Sequence, residues 1–397
     1  MKKSNFIKMK LFDICDYVTS RTANIENYIS TENMLPNKGG VCTSSNVPSG
    51  AAIEYKVGDI LISNIRPYFQ KIWQADCNGA CSADVLCIRA NNKADSKYLY
   101  YLLSQQLFFD YVMSGAKGCK MPRGDKKQIM QWGIFLPSLE EQRRIAGILG
   151  AIDDKIENNR RINDNLEQQA QALYKQWFVD FEFPNEEGKP YKSSGGKMVD
   201  SELGPIPEGW SVGKLEDIGD IIGGGTPSKV VAEYYTKNGI AWITPKDLSV
   251  SHLKFTAKGE TDITELGYKN SSAKIMPRGS VLFSSRAPIG YISIAKNDIC
   301  TNQGFKSVVP NNGCTAFAYY FLLSNTENIE SKATGSTFKE ASGALMKSLE
   351  LVIPSDDILE KFEKIMSPIF ESQEKFEAEN ETLATLRDTL LPKLMNG

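Results

Sequence analysis

The segment from Pro137 to Asp180 constrains the fold of this chain more than any other. It contains no proline after Pro137 and no glycine after Gly150, so its later part carries no residue that breaks a helix. Ser138 followed by Glu141 is typical of a capping box that begins a helix. Apolar residues then recur in alternating steps of four and three, at Ile145, Leu149, Ile152, Ile156, Leu166, Ala170, Leu173 and Trp177. This heptad spacing predicts a long helix over 138–182 that packs against one long partner helix.

The partner is predicted at the other end of the sequence, over residues 355–397. Its apolar residues follow the same spacing, at Phe362, Met366, Ile369, Phe376 and Leu383, and then at Leu386 or Leu390. Pro368 interrupts this pattern, so we expect a kink there or the end of a first helical segment. Polar residues near the middle of both seams commonly fix register and pairing. We therefore expect an antiparallel coiled coil with a polar layer of Asn159, Asn163, Gln373 and Asn380. The alternative is two unrelated surface helices.

Two stretches of mixed character precede these helices, and their sequences resemble each other. GDILIS at 58–63 resembles GSVLFS at 279–284, and YYLLS at 100–104 resembles YYFLLS at 319–324. Gly115 matches Gly335 in the same way. The recurring offset of about 220 residues predicts an internal repeat.

The predicted fold class is α+β, with two similar α/β domains and two long antiparallel coiled-coil helices related by a pseudo-two-fold axis. The predicted order is domain 1–137, helix 138–182, linker 183–213, domain 214–354 and helix 355–397. The linker is rich in Gly, Pro and Ser, and Trp210 near its end is expected to dock on the second domain. Residues 96–114 are expected to form one buried helix.

Composition and charge narrow the possible functions. The chain is 41% hydrophobic and 24% charged, which is ordinary for a soluble globular protein, and we expect it in the cytoplasm, away from membranes. Its single His and its eight cysteines without a CxxC pair make a metal site unexpected. The net charge of −2 is unevenly distributed, because the two domains are positive and both long helices are negative. We therefore expect the domains to hold a polyanion.

Candidate contact residues lie on polar loops of both domains, where Arg favours guanine, Asn and Gln favour adenine, and Lys favours phosphate. Arg66 and Arg286 are predicted to occupy matching places at strand ends, with an intradomain ion pair as the alternative. The glycine-containing loop 114–127 is either a phosphate-binding loop or plain solvated surface, and Gln303 is either a base contact or part of a structural turn. The complete predicted set is Arg66, Lys117, Lys120, Arg123, Thr226, Lys246, Ser284, Arg286, Asn302, Gln303, Lys306, Thr337 and Lys339.

Four segments make the chain resemble a specificity subunit of a Type I restriction-modification system. They are PSLEEQRRIAGILGAIDDKIE at 137–157, KPYKSSGGKMVDSELGPIPEGW at 189–210, the opening of the second domain at 215–248 with GGGTPS, and TNQGFKSVVP at 301–310 together with the closing LRDTLLPKLMNG. The first domain departs from the pattern, since it has VTSRT at 18–22 where the second has GGGTP.

The resemblance implies a non-catalytic DNA-binding subunit whose two target-recognition domains each recognise one half of a split, asymmetric site. It implies two methyltransferase (modification) subunits on the helices, restriction (motor-nuclease) subunits in the complete enzyme, and adenine methylation carried out by the partners. The sequence itself has no [NDS]-PP-[YFW] motif and no GxxxxGK[ST], so we expect S-adenosylmethionine, ATP and Mg²⁺ to bind in partner subunits. The alternative function is a scaffold that binds partner proteins through its long helices.

Overall fold

The computed structural model describes residues 6–44, 46–118, 120–286, 288–335 and 339–396. The chain divides into two compact units, one of residues 1–158 with 380–397 and one of residues 159–379. Each unit therefore contains one mixed stretch together with a part of each long helix. Within the described ranges, none of the helices is both long enough and apolar enough to cross a bilayer.

The first half of the chain combines short antiparallel strands with helices. Its strands are β1 (Ile7–Lys10), β2 (Cys15–Tyr17), β3 (Arg21–Thr22), β4 (Ala52–Tyr55), β5 (Ile60–Ser63), β6 (Ile72–Gln74), β7 (Gly79–Cys81), β8 (Val85–Ala90) and β9 (Gly133–Leu136). Its helices are α1 (Ser96–Leu103), α2 (Gln106–Ser114), α3 (Lys126–Met130) and α4 (Leu139–Tyr174), and α4 continues as the π-helical turn Lys175–Val179. The sheets have the orders β2-β8-β5-β6 and β3-β4-β7, and β1 pairs with β9.

The second half repeats this design with more strands. Its strands are β10 (Met198–Val199), β11 (Ile206–Pro207), β12 (Ser211–Lys214), β13 (Gly219–Gly223), β14 (Tyr235–Thr236), β15 (Trp242–Ile243), β16 (Phe255–Thr256), β17 (Asp262–Ile263), β18 (Val281–Ser285), β19 (Ile289–Ala295), β20 (Cys300–Thr301), β21 (Lys306–Pro310) and β22 (Glu350–Ile353). Its helices are α5 (Leu215–Ile218), α6 (Pro245–Ser251), α7 (Glu265–Lys269), α8 (Thr315–Ser324), α9 (Thr326–Lys332), α10 (Gly343–Lys347) and α11 (Asp356–Asn396).

The sheet topology confirms the internal repeat. The order β13-β21-β18-β19 matches β2-β8-β5-β6, and the pair β12–β22 matches β1–β9. β16 extends the second sheet by pairing in parallel with β19. The protein is therefore an α+β molecule with two related domains.

Backbone hydrogen bonds align the two repeats and correct two sequence matches. Gly124 donates to the carbonyl of Asn64 at 3.3 Å, and Ala341 donates to that of Ser285 at 2.9 Å. Asn64 is thus equivalent to Ser285, so Arg286 is equivalent to Ile65, one residue before Arg66.

The backbone pairing also changes the predicted match between Gly115 and Gly335. The bridge Lys117–Arg123 corresponds to the bridge Thr334–Glu340. This alignment pairs Gly335 with Gly118, not with Gly115. Both glycines have positive φ, 102° for Gly118 and 145° for Gly335, which only glycine adopts without strain.

Helix α11 passes through Pro368 as one 41-residue element, so the expectation that a helical segment ends there is wrong. Pro368 lies on the exposed face, where the carbonyl left without its N–H partner meets water. The expectation of one helix over residues 96–114 is also wrong, because Gln105 is extended and separates α1 from α2.

The apolar seams are buried in each unit. In the first unit, Ile145 and Leu149 of α4 share a core with Leu391 and Met395 of α11. In the second unit, Ala170 and Trp177 share a core with Phe362 and Met366. Leu386 is 45% exposed, so the second seam continues through the half-buried Leu390.

The helices run in opposite directions within the second unit. The amide of Asn159 donates to the carboxylate of Glu379 at 2.8 Å. Eight residues later in α4, the carboxylate of Glu167 accepts from the amide of Gln373 at 3.2 Å. The partner number in α11 falls as the number in α4 rises, which is antiparallel packing.

The segment 183–213 packs in the second unit through aromatic side chains. The ring of Trp210 stacks on Phe183 at 4.9 Å, and Phe183 stacks on Tyr191 at 4.6 Å. Trp210 is buried in the same core as α8, as the sequence predicted. The last residues of the segment belong to β12, which pairs with β22.

Replacing Trp210 by alanine should lower the free energy of unfolding by about 3–5 kcal/mol, because it leaves a cavity between Phe183 and Phe178. Val230→Ala is the control, since Val230 is 93% exposed. Urea unfolding followed by tryptophan fluorescence and circular dichroism measures both changes. A loss for Trp210→Ala as small as that for Val230→Ala would contradict docking of this segment.

Candidate nucleic-acid interface

A glycine run of Gly223, Gly224 and Gly225 precedes Thr226, which lines a concave surface in the second unit. A Cβ atom on Gly224 would lie 1.9 Å from the carbonyl oxygen of Asn302, so only glycine permits this approach. The Gly225 N–H donates to Thr301 at 2.9 Å, and the Gly225 carbonyl accepts from the Trp242 indole at 2.9 Å. The run thus brings the loop after β13 against the turn at 302–304.

This approach creates an open cavity of about 680 Å³. Five of the predicted contact residues line it, namely Thr226, Lys246, Arg286, Asn302 and Gln303. The Thr226 hydroxyl is buried and has no hydrogen-bond partner among the described residues. Asn302 Oδ1 accepts from the N–H of Gly304 at 2.8 Å, which leaves the amide nitrogen as a donor, and Gln303 is exposed. The cavity therefore presents several hydrogen-bonding groups to a ligand.

Three predicted basic residues of this surface, Lys246, Arg286 and Lys306, are paired with carboxylates. Lys246 Nζ lies 2.8 Å from Glu260, and this hydrogen bond raises the pKa of Lys246. Arg286 lies 3.8 Å from one oxygen of Glu340, and Lys306 lies 3.3 Å from the other. Without a ligand, Arg286 therefore forms the intradomain ion pair that was the alternative to a DNA contact.

Two other predicted residues of this domain, Ser284 and Lys339, do not line the cavity. Ser284 is fully buried, where its hydroxyl accepts from the N–H of Tyr291 and donates to the carbonyl of Pro288, both at 2.8 Å. Its prediction as a contact is wrong, because all five residues of β18 are buried, on both faces of the strand. Lys339 is exposed and donates to the carbonyl of Glu330 at 3.5 Å. Thr337 lies outside the described residues.

The first unit assembles its basic residues around a short hairpin. Lys117 and Arg123 pair through their backbones, and the N–H of Arg66 donates to the carbonyl of Pro122 at 2.8 Å. Arg66 itself adopts a left-handed conformation with φ 51°. Lys120 is exposed in the same hairpin. These four residues therefore form one basic cluster.

Acidic residues also accompany this cluster. Lys117 lies 3.3 Å from Asp125, and Arg123 lies 3.3 Å from Asp84. The backbone N–H of Gln128, followed by Lys117, holds the pKa of Asp125 below its usual value. Both basic side chains are more than half exposed. Exposed pairs contribute little stability, so phosphate groups can replace the carboxylates at low cost.

Sequence reasoning missed several residues of the second surface. Lys229 and Tyr235 line the cavity, and Lys229 follows the glycine run closely enough for the sequence to have indicated it. The pairing of Glu340 with Arg286 and Lys306 joins positions far apart in the sequence, so spacing carried no signal for it.

The predicted polar layer lies on the long helices. Besides the contact of Asn159 with Glu379, the Asn163 amide donates to the Gln373 carbonyl at 3.3 Å. Asn380 is half-buried in the other unit. In the part of the chain that the structure describes, no group of three or more His, Cys, Asp or Glu residues is arranged to hold a metal ion.

Comparison with known proteins identifies the domains. The model of the family "Type I restriction modification DNA specificity domain" matches the chain twice, over residues 4–168 and 207–385. The chain belongs to this family. The two matched segments contain the two basic surfaces, so both surfaces lie in DNA-specificity domains.

Relatives and a solved structure agree with this family. The HindI specificity subunit of Haemophilus influenzae is 28% identical over 432 aligned positions, which cover 93% of each chain. The MjaIX specificity subunit of Methanocaldococcus jannaschii is 39% identical over 190 residues, 47% of this chain and 44% of that protein. The S subunit of a Type I system from M. genitalium shares the fold, with a TM-score of 0.56, 16% identity and coverage of 98% of this chain and 96% of that one.

Substituting Arg286 or Gln303 by alanine should weaken binding to the cognate DNA by about 1–3 kcal/mol and relax the preference at one base pair. Both side chains line the cavity, so folding should be unaffected. Lys364→Ala, on the exposed face of α11, is the control. Fluorescence anisotropy on cognate and singly substituted duplexes measures the effect. Equal affinities for wild type and both variants would exclude this cavity from the interface.

Proposed function

We propose that this protein is the sequence-specific DNA-binding subunit of a Type I restriction-modification complex, and that each domain recognises one half of a split target. The observation that carries the proposal is the double match to the DNA-specificity family, one match over each structural repeat. Basic side chains that pair with carboxylates near the surface, such as Lys246 with Glu260 and Lys117 with Asp125, support DNA as the ligand.

The two half-sites differ in this proposal because the two surfaces differ. The first domain offers Arg66, Lys117 and Arg123 around a hairpin. The second offers the amides of Asn302 and Gln303 beside Arg286. Arginine favours guanine, and amide side chains favour adenine, so different bases satisfy the two surfaces.

In this proposal, other subunits carry out the methylation and the cleavage of DNA. Two modification subunits methylate one adenine in each half-site, and restriction subunits cleave the DNA. S-adenosylmethionine, ATP and Mg²⁺ bind in those partners. The absence of a nucleotide-binding or methyltransferase motif from the sequence supports this division.

The long helices act as spacer and as docking surface. Each helix contributes residues to both units, and antiparallel contacts in the second unit support a coiled coil. A 36-residue helix rises about 54 Å, which is more than one turn of B-DNA. The exposed, acidic faces of α4 and α11 are then available to the modification subunits.

Selection from a random duplex library tests this function. The chain, purified with its modification subunit, should enrich a motif of two different half-sites separated by a fixed unspecified gap. Binding should fall steeply with salt, because several phosphates release counterions. An enriched motif without a gap, or no enrichment with little salt dependence, would support the scaffold function instead.

Lengthening the helices tests the spacer role. Seven residues inserted after Asn158 and seven after Glu379 add about 10 Å to each helix while preserving the heptad. The preferred gap should lengthen, and the bases of both half-sites should stay the same. Inserting seven residues in α4 alone is the control, which should disrupt pairing and reduce binding. An unchanged gap in the double insertion would refute the spacer role.

A further inference from the structure

Lys254 brings four elements of the second unit to one point. It lies just before β16, and its ammonium group contacts Glu167 of α4 at 2.6 Å, Tyr320 of α8 at 2.7 Å and Gln373 of α11 at 3.0 Å. An ammonium group has three donors, so these three acceptors satisfy it completely. Its side chain is only 8% exposed.

Aromatic rings surround the same charge. The ammonium nitrogen lies 4.0 Å from the ring centroid of Phe370, 4.8 Å from that of Tyr319 and 4.9 Å from that of Tyr320. Burial lowers the pKa of Lys254 to about 8, partly offset by Glu167. Burial opposes ionisation of Glu167 as well, but the charge of Lys254 keeps the pKa of that carboxyl below its usual value. Each charge of the pair therefore favours the ionised form of the other.

The backbone around Lys254 is hydrogen-bonded to helix α11 and to strand β19. The N–H groups of Lys254 and Phe255 donate to the carboxylate of Glu377 on α11, at 2.9 and 3.2 Å. The carbonyl of Lys254 accepts from the N–H of Ile294 in β19 at 2.8 Å. The long helices are thus linked through one residue to the central sheet of the recognition domain.

A buried ion pair is a poor way to gain stability, since apolar side chains of similar volume pack there at lower desolvation cost. Its distinguishing property here is that the three hydrogen bonds of the ammonium group join α4, α8 and α11 in one arrangement. The geometry points to Lys254 as a positioning residue that fixes the position of the second recognition domain on α4 and α11. It thereby fixes the length of the gap that the protein accepts between the two DNA half-sites. This inference rests on the proposed function.

The first unit contains a related arrangement built from different residues. The hydroxyl of Tyr101 donates to Asp153 of α4 at 2.6 Å, and Asp153 accepts from Arg387 of α11 at 2.9 Å. Tyr101 and Tyr320 occupy matching places in the repeated Tyr-Tyr-containing helix. In both units, a domain tyrosine bonds a carboxylate of α4 that also pairs with a cation.

If the second domain is held less firmly on the helices, the complex should accept DNA with more than one gap length. One additional base pair displaces a half-site by about 3.4 Å and rotates it by about a tenth of a turn. A domain held rigidly on the helices cannot bind the displaced half-site, whereas a domain that moves on the helices can.

The test replaces Lys254 by methionine in the complex with the modification subunit. Methionine keeps the length, and its thioether packs on the three rings, while Glu167 retains hydrogen bonds from Tyr320, Gln373 and Gln171. Methylation is measured on duplexes whose gap is one base pair shorter, equal and one longer. The ratio of methylation at altered gaps to that at the native gap should rise about tenfold, with unchanged half-site bases.

Lys258→Met is the matched control, because the described contacts of Lys258 with Lys237, Asn238 and Asp262 all lie within the recognition domain. Tyr320→Phe removes a single hydroxyl from the cluster and should shift the ratio in the same direction by less. It also provides the test if Lys254→Met fails to fold.

An unchanged ratio, or an equal loss of methylation at all three gaps, overturns the inference and leaves Lys254 with a purely structural role. Failure of the proposed function gives a different result. In that case the wild-type complex itself shows no preference among the three gaps.

Discussion

Burial of the two apolar seams is the interaction on which the rest of the structure depends. A helix of 36 or 41 residues with apolar side chains along one face is not stable alone in water, because that face stays exposed. In each unit the seams bury one another and the helices of the domain, such as α8, whose residues from Ala316 to Leu322 are all buried. The domains thus complete the core of the helices, and the helices complete the core of the domains.

Charged side chains have two different roles in this framework, and solvent exposure separates them. Lys246 and Arg123 are paired with carboxylates at the surface, where water and salt make partners easy to exchange for phosphates. Lys254 and Glu167 form the same kind of pair in a buried place, where separating them leaves an unpaired charge. The first kind of pair suits ligand binding and the second suits fixed geometry.

The sequence predicted the features that repeat and missed those that depend on distant residues. The heptad of α4 and the internal repeat follow from spacing alone. The burial of Ser284 does not, since it depends on both faces of β18 being covered. The position equivalent to Arg286 does not either, since only the backbone pairing shows that it is Ile65 and not Arg66. Five residues that line the cavity were predicted as contacts, because they lie on polar loops. The acidic partners Glu260 and Glu340 were not, since they pair across 14 and 34–54 residues of sequence. The break between α1 and α2 lies at the extended Gln105, which an apolar pattern does not indicate.

The central claim is that two different DNA-recognition domains act from one pair of helices. Sequencing the methylated adenines in the genome of a cell that expresses this chain with its modification subunit tests it most directly. The account predicts one methylated adenine in each half of a split motif, with different bases in the two halves and a constant gap between them. Methylation at a continuous motif, or at two identical half-sites, would contradict it.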